Sequence, residues 1–170
     1  MAVDEAAESA GLVRCLLIPL GGVQMLLPNA SVAEIVNYRE PRTIDNAPRW
    51  YAGELTWRGT DVPLLALEAA SGDRVPSKSR NTHVVVITSL SGRTDMSHFA
   101  IVVQGIPHIV QADVSSLQPV DQGLTSPVAL AHVKIHGQAA FIPDLDLLER
   151  MLRKARSALK GNAAPQAATH

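Results

Sequence analysis

The chain has 170 residues, 46% of them apolar and 18% charged, enough to bury a core and too few charges for a disordered chain. Its 15 basic residues are scattered among 16 acidic ones, with a net charge of -1 and a pI near 6.6, so the clustered basic excess of a nucleic-acid binder is missing. The single cysteine, Cys15, excludes an internal disulfide, the N-terminus does not resemble a signal peptide, and no apolar run approaches the ~20 residues of a membrane helix, so a cytoplasmic protein without membrane insertion is expected.

In chain order, residues 1–10 are small and acidic and read as a flexible tail. "RCLLIPL" and "VQMLLP" flank Gly21-Gly22 and predict a β-hairpin, and "ASVAEIVNY" continues as a strand. "DNAPRWYAGE" predicts a short helical turn with Asn46 as cap and Pro48 in the first turn. "GELTWRGTDVPLLAL" then reads as two strands around a tight turn with Arg58 at its tip. "THVVVITSL" and "FAIVVQGI" are the short unbroken apolar runs of strands buried on both faces. "AHVKIHGQAAFI" alternates, with Ala131, Val133 and Ile135 on one face and His132, Lys134 and His136 on the other, before a Gly137-Gln138 turn.

"PDLDLLERMLRKARSALKG" predicts a helix over about 144–160, capped by Asp144 or Asp146, striped by Leu147, Leu148, Met151 and Leu152, and ended by Gly161. Arg153, Lys154, Arg156 and Lys160 fall in its C-terminal half, where the helix dipole favours cations. Residues 161–170 read as a second flexible tail.

The polar stretch Ser71–Asn81 divides the strands into two sets, about 11–72 and 80–143. Each set ends in a glycine turn, a proline and leucines: Gly59, Pro63, Leu65 and Leu67, then Gly137, Pro143, Leu145 and Leu147. The expected fold is mainly β, with two small barrels of about five strands each and a C-terminal helix; barrels avoid exposed edges.

No phosphate loop, dinucleotide fingerprint, His-Glu-x-x-His, Gly-x-Ser-x-Gly or Cys-x-x-Cys occurs. His132 and His136 share a strand face about 13 Å apart, too far for one metal, and read as solvent-facing. His83, His98 and His108 read as structural, and Cys15 as a buried, inert thiol. No cofactor and no metal is expected. Arg39 and Arg42, followed by "DVSSLQ", approach the cyclic-dinucleotide signature of PilZ domains, but the arginines are one residue too close and Gln118 stands in place of the glycine. A small-ligand or cyclic-dinucleotide barrel is the alternative reading.

Val32, Glu34, Ile35, Ile44, Pro48, Gly53, Arg58, Gly59, Pro63 and Leu67 fall without a gap into a pattern of Val-x-Glu-Ile, Ile…Pro, and Gly-x-x-x-Leu-Arg-Gly-x-x-x-Pro-hydrophobic-x-x-Leu. This segment resembles the CheW family of chemotaxis coupling proteins, and the likeness continues more loosely to Leu152. The resemblance implies two SH3-like five-stranded barrels with an apolar seam and no enzymatic activity. It implies two partners, the cytoplasmic tip of a methyl-accepting chemoreceptor and the regulatory domain of a CheA-type histidine kinase. Receptor contact would fall in the groove between barrels near Val32, Glu34, Arg58 and Ile109, and kinase contact at the barrel ends. Thr56-Trp57, Ala66 and Val103-Gln104 depart from the family pattern, and the divergence resembles an accessory coupling protein of the ChpC or PilI type from pilus-associated systems. Arg58 has no visible catalytic partner. It reads as an interface residue, as a partner of Glu34 that pins the hairpin, or as both; Trp57 reads as core or as an exposed anchor, and strand alternation favours core.

Overall fold

The computed structural model describes residues 11–120 and 126–162, the last without its side chain. The expected N-terminal tail and residues 163–170 of the C-terminal one lie outside the described residues. The strands are β1 (Val13–Pro19), β2 (Gln24–Pro28), β3 (Val32–Asn37), β4 (Tyr51–Trp57), β5 (Thr60–Leu65), β6 (His83–Thr88), β7 (His98–Val103), β8 (His108–Ala112), β9 (Leu117–Pro119), β10 (Ala129–Ile135) and β11 (Gln138–Pro143). Helix α1 (Leu67–Ala70) follows β5, and helix α2 (Leu145–Asn162) follows β11. The chain is mainly β, as expected, with one sheet of six strands and one of five.

The sheets do not follow the division at residues 72 and 80. The six-stranded sheet has the order β8-β1-β2-β11-β10-β9, and the five-stranded sheet β3-β6-β7-β5-β4. Each half of the chain supplies a leading hairpin, β1–β2 or β6–β7, and that hairpin pairs with the later strands of the other half. The chain crosses between sheets at a 3-10 turn, Asn29–Ser31, and again between β7 and β8, where the Gln104 amide donates to the Pro19 carbonyl at 2.9 Å. The polar stretch after α1 therefore joins two strands of one sheet. Apolar periodicity reports which face of a strand is buried, and it carries no information about which strand lies alongside.

Among the described residues, buried apolar side chains form three clusters. The largest lies between the sheets and beneath α2, and includes Leu16, Ile18, Met25, Val85, Ile87, Phe99, Ile101, Leu148 and Leu152. Each sheet also encloses its own small core: Cys15, Leu17, Leu26, Val133 and Ile135 in one, Val62, Leu64, Val84, Val86 and Ala100 in the other. Alternate residues of β6 and β7 thus face two different cores, which is why those strands read as unbroken apolar runs. Each fully buried large aliphatic side chain contributes about 1.5–3 kcal/mol.

The internal repeat is clearer in three dimensions. Arg58 and Gly59 (φ 49° and 76°) and His136 and Gly137 (φ 48° and 78°) make the same two-residue turn, closing the pairs Trp57↔Thr60 and Ile135↔Gln138. Both central residues are left-handed, as in the primed turns that match strand twist. Gly59 leads to Leu67 and Gly137 to Leu145 at equal spacing, so the prolines are not the equivalent positions.

Two local expectations are corrected. Residues 45–50 form two turns without a helix: the Ala47 amide donates to the Ile44 carbonyl at 3.3 Å and the Tyr51 amide to the Pro48 carbonyl at 2.9 Å. Asn46 is left-handed (φ 62°) instead of adopting the extended backbone of a cap. Helix α2 is capped by Asp144, whose Oδ1 accepts from the Leu147 amide at 3.0 Å, but Gly161 lies inside it. Its buried residues are Leu145, Leu148, Glu149, Leu152 and Leu159, with Leu147 and Met151 only half-buried.

Candidate interaction surface

The Arg58 tip is built from three elements. Glu34 on β3 accepts the Trp57 indole Nε1 hydrogen at 2.7 Å and faces the Arg58 guanidinium at 3.2 Å. The guanidinium lies over the Trp57 ring, 4.8 Å from its centroid, and the His98 ring sits 4.7 Å away from the same indole. Trp57 is half-buried against the five-stranded sheet's own core, so it is core with a polar edge. Glu34 clasps the edge strand β3 to the opposite edge strand β4. The Arg58 side chain remains 68% exposed, and an ion pair so exposed contributes at most ~1 kcal/mol.

Val32 and Glu34 would share a face by simple alternation. A β-bulge between them changes this: Val32 pairs with Ile87 and Glu34 with Val86. Ile87 belongs to the intersheet core and Val86 to the small core, so Val32 and Glu34 point to opposite faces. Ile109 is paired with Leu16, another intersheet residue, and is therefore on the intersheet side of edge strand β8. The structure brings together Glu34, Trp57 and Arg58. It places Val32 and Ile109 on the intersheet faces of two edge strands, one in each sheet, with Ile109 65% exposed. Ile35 on β3 and Ile106 before β8 are also exposed.

The pieces of the cyclic-dinucleotide signature do not converge. Arg39 and Arg42 border a cavity of about 280 Å³ on the five-stranded sheet, while Gln118 lies on β9 of the other sheet. Among the described residues no group of three His, Cys, Asp or Glu side chains could hold a metal ion. Cys15 is buried, and burial pushes its thiol up. The paired histidines were expected to face solvent. His136 is exposed, but His132 is half-buried.

Sequence reasoning missed three buried acids, Glu54, Glu68 and Glu149. Glu54 accepts the Tyr51 hydroxyl and faces Arg156 of α2 at 3.2 Å on both carboxylate oxygens; Arg156 also donates to the Asp61 carbonyl at 3.0 Å. Burial, then the bond to Glu54, pushes the Tyr51 phenol well above its ordinary range. Glu149 accepts from the Leu90 amide at 2.8 Å, the Ser91 amide at 3.3 Å and the Ser91 hydroxyl, and pairs with Arg153 at 3.1 Å. Two of the four basic residues in the C-terminal half of the helix, Arg153 and Arg156, are thus specific partners of buried acids. Only the Glu149–Arg153 spacing of four offered a sequence signal.

Residues 14–152 match the CheW-like domain family. The chain belongs to that family. A solved structure, the scaffolding protein TtCheW from Thermoanaerobacter tengcongensis, aligns with this CheW-like chain at a TM-score of 0.67 and 17% identity, covering 78% of this chain and 84% of the other. No curated protein matches it. The two interleaved sheets and α2 are the CheW-like fold. Among the described residues no helix is long and apolar enough to cross a membrane.

Proposed function

We propose that this protein is a non-enzymatic cytoplasmic adaptor that couples the tip of a methyl-accepting chemoreceptor to the regulatory domain of a CheA-type histidine kinase, in chemotaxis or pilus-motility signalling. The observation that carries the reading is the CheW-like match over residues 14–152. Two features support it. Apolar side chains stand exposed on the edge strands β3 and β8, at Ile35 and Ile109, where a partner can pack. Arg58 is held at a hairpin tip by Glu34 with most of its side chain exposed, as an interface arginine needs to be.

The receptor surface, on this reading, is divided. Val32 and Ile109 supply apolar contact from the intersheet side, and the Glu34–Arg58 pair supplies charge across the β3 edge. Each contact is small, and avidity within an array stabilises the assembly.

Arg58→Ala is expected to leave thermal stability within ~1 kcal/mol of wild type and to weaken capture of the chemoreceptor by about 2 kcal/mol. Affinity measured against a purified receptor fragment and a melting curve on the same sample separate the two roles. A collapsed melting temperature with unchanged affinity of the remaining folded protein would assign Arg58 to the fold alone. Ile109→Asp and Val32→Asp are both expected to abolish receptor capture. Val32 packs against the intersheet core, so the exposed Ile109 variant decides the matter: wild-type affinity there would remove the intersheet face from the proposal.

A further inference from the structure

The two halves of the internal repeat differ in how far their helices extend. Counting back from the two equivalent turns, the pair His132↔Phe141 in the six-stranded sheet corresponds to Glu54↔Pro63 in the five-stranded one. Helix α2 covers the second of these, and its Arg156 reaches Glu54 and the Asp61 carbonyl. The corresponding helix, α1, ends at Ala70 after four residues. Arg156 stands eleven positions after Leu145; eleven positions after Leu67 the chain has long left the helix. Both helices hold the turn of a hairpin through an acid, Glu149 on Leu90 and Ser91, and Glu68 on the Gly21 amide at 3.2 Å. Only α2 continues over the sheet.

Beyond the end of α1 lies a cavity of about 350 Å³, lined in part by Val23, Ser71, Asp73, Ser126, His132 and Phe141. Its polar lining consists of acceptors or groups that can accept: the Asp73 carboxylate, two hydroxyls 3.0 Å apart and the His132 ring. Among the described residues, the buried His132 Nε2 has no hydrogen-bond partner, and the buried Glu68 on the adjoining helix has a spare carboxylate oxygen, Oε2, in the same condition. Unpaired buried polar atoms are rare in native folds and point to a missing partner. With its proton on Nδ1, the imidazole offers Nε2 as an acceptor. Among the described residues no lysine or arginine lines the cavity.

We propose that this cavity binds a cation on a short apolar stem, a guanidinium or ammonium group, in the manner that Arg156 fills the equivalent place in the other half. The stem packs against Phe141 and Val23, and the cationic head meets Asp73 and His132. The head comes either from a free small molecule or from an arginine or lysine side chain of a partner.

The test is a titration of the ¹⁵N-labelled full chain with n-propylguanidinium, n-propylurea as its neutral counterpart, and the blocked peptide acetyl-Ala-Arg-Ala-amide. Saturable shifts centred on Ser71, His132 and Phe141 are expected with propylguanidinium at roughly millimolar concentration and not with propylurea. Asp73→Asn, an exposed change, is expected to weaken binding about tenfold, and His132→Phe to weaken it with the fold intact. Stronger binding of the peptide identifies a partner's side chain as the source, and binding of propylguanidinium with exclusion of the peptide identifies a free cation. An equal response to propylurea, shifts centred elsewhere, or Asp73→Asn binding like wild type would overturn the proposal.

Discussion

Arg156→Met should cost about 3–5 kcal/mol of folding stability, among the largest effects of any surface-facing position on α2. Glu54 is 5% exposed. Removing the guanidinium leaves its carboxylate in an apolar strand with only the Tyr51 hydroxyl as partner, and strips the Asp61 and Asp95 carbonyls of a donor. The penalty is that of an uncompensated buried charge, which exceeds the worth of the intact pair. Removing both charges, Glu54→Leu with Arg156→Met, should therefore recover most of the loss. Urea denaturation of the four proteins of this cycle measures it. If Arg156→Met lies within ~1 kcal/mol of wild type, the pair does not anchor α2 to the five-stranded sheet.

Glu149→Gln should destabilise by about 2–4 kcal/mol and should also change how stability depends on pH. The carboxylate is fully buried and serves two backbone amides, a hydroxyl and Arg153. A neutral amide cannot accept from all of them, and each buried group left unpaired costs about 1–3 kcal/mol. Burial alone would raise this carboxyl, but the Ser91 hydroxyl, the Leu90 and Ser91 amides and Arg153 together outweigh it and hold it below its ordinary value of 4.5. A lowered folded-state value stabilises the protein above the unfolded-state value, and that contribution is lost as pH falls through the folded one. The wild type should therefore lose stability on acidification below about pH 4.5 more steeply than Glu149→Gln. Parallel stability profiles between pH 3 and pH 7 would show that Glu149 has no part in acid sensitivity. Both variants act on the attachment of α2, so their effects should add only partially.

The helix itself was readable. Asp144, the leucines and the closing basic residues are local signals, because capping and the 3.6 repeat involve neighbours within a turn. The hairpin at Gly21-Gly22 and the turn at Arg58-Gly59 were readable for the same reason. Asn46 misled: an asparagine before a proline-containing segment signals a helix cap or a left-handed turn equally well, and here the turn forms. Gly161 also misled, since a glycine can be carried inside a helix near its end for about 1 kcal/mol.

The Arg58 cluster was legible only in part. Glu34 as a partner could be anticipated from two opposite charges near strand ends. The bulge after Val32 could not, and it alone decides that Val32 and Glu34 face different cores. The pairing of Trp57 with Glu34 follows from how far the five-stranded sheet curls, a property of five strands together.

By itself the sequence determined that the chain is mainly β, where most of its strands and tight turns fall though not β8 or β9, that one amphipathic helix follows the last strand, and that it is similar to CheW proteins over most of its length. Tertiary structure decided which hairpin joins which sheet, which side of β3 meets which core, and that Glu54 finds its counter-charge 102 residues away on α2. Periodicity and turn chemistry act between near neighbours and are written along the chain. Strand partnership, bulges and buried ion pairs depend on distances that exist only once both sheets have packed.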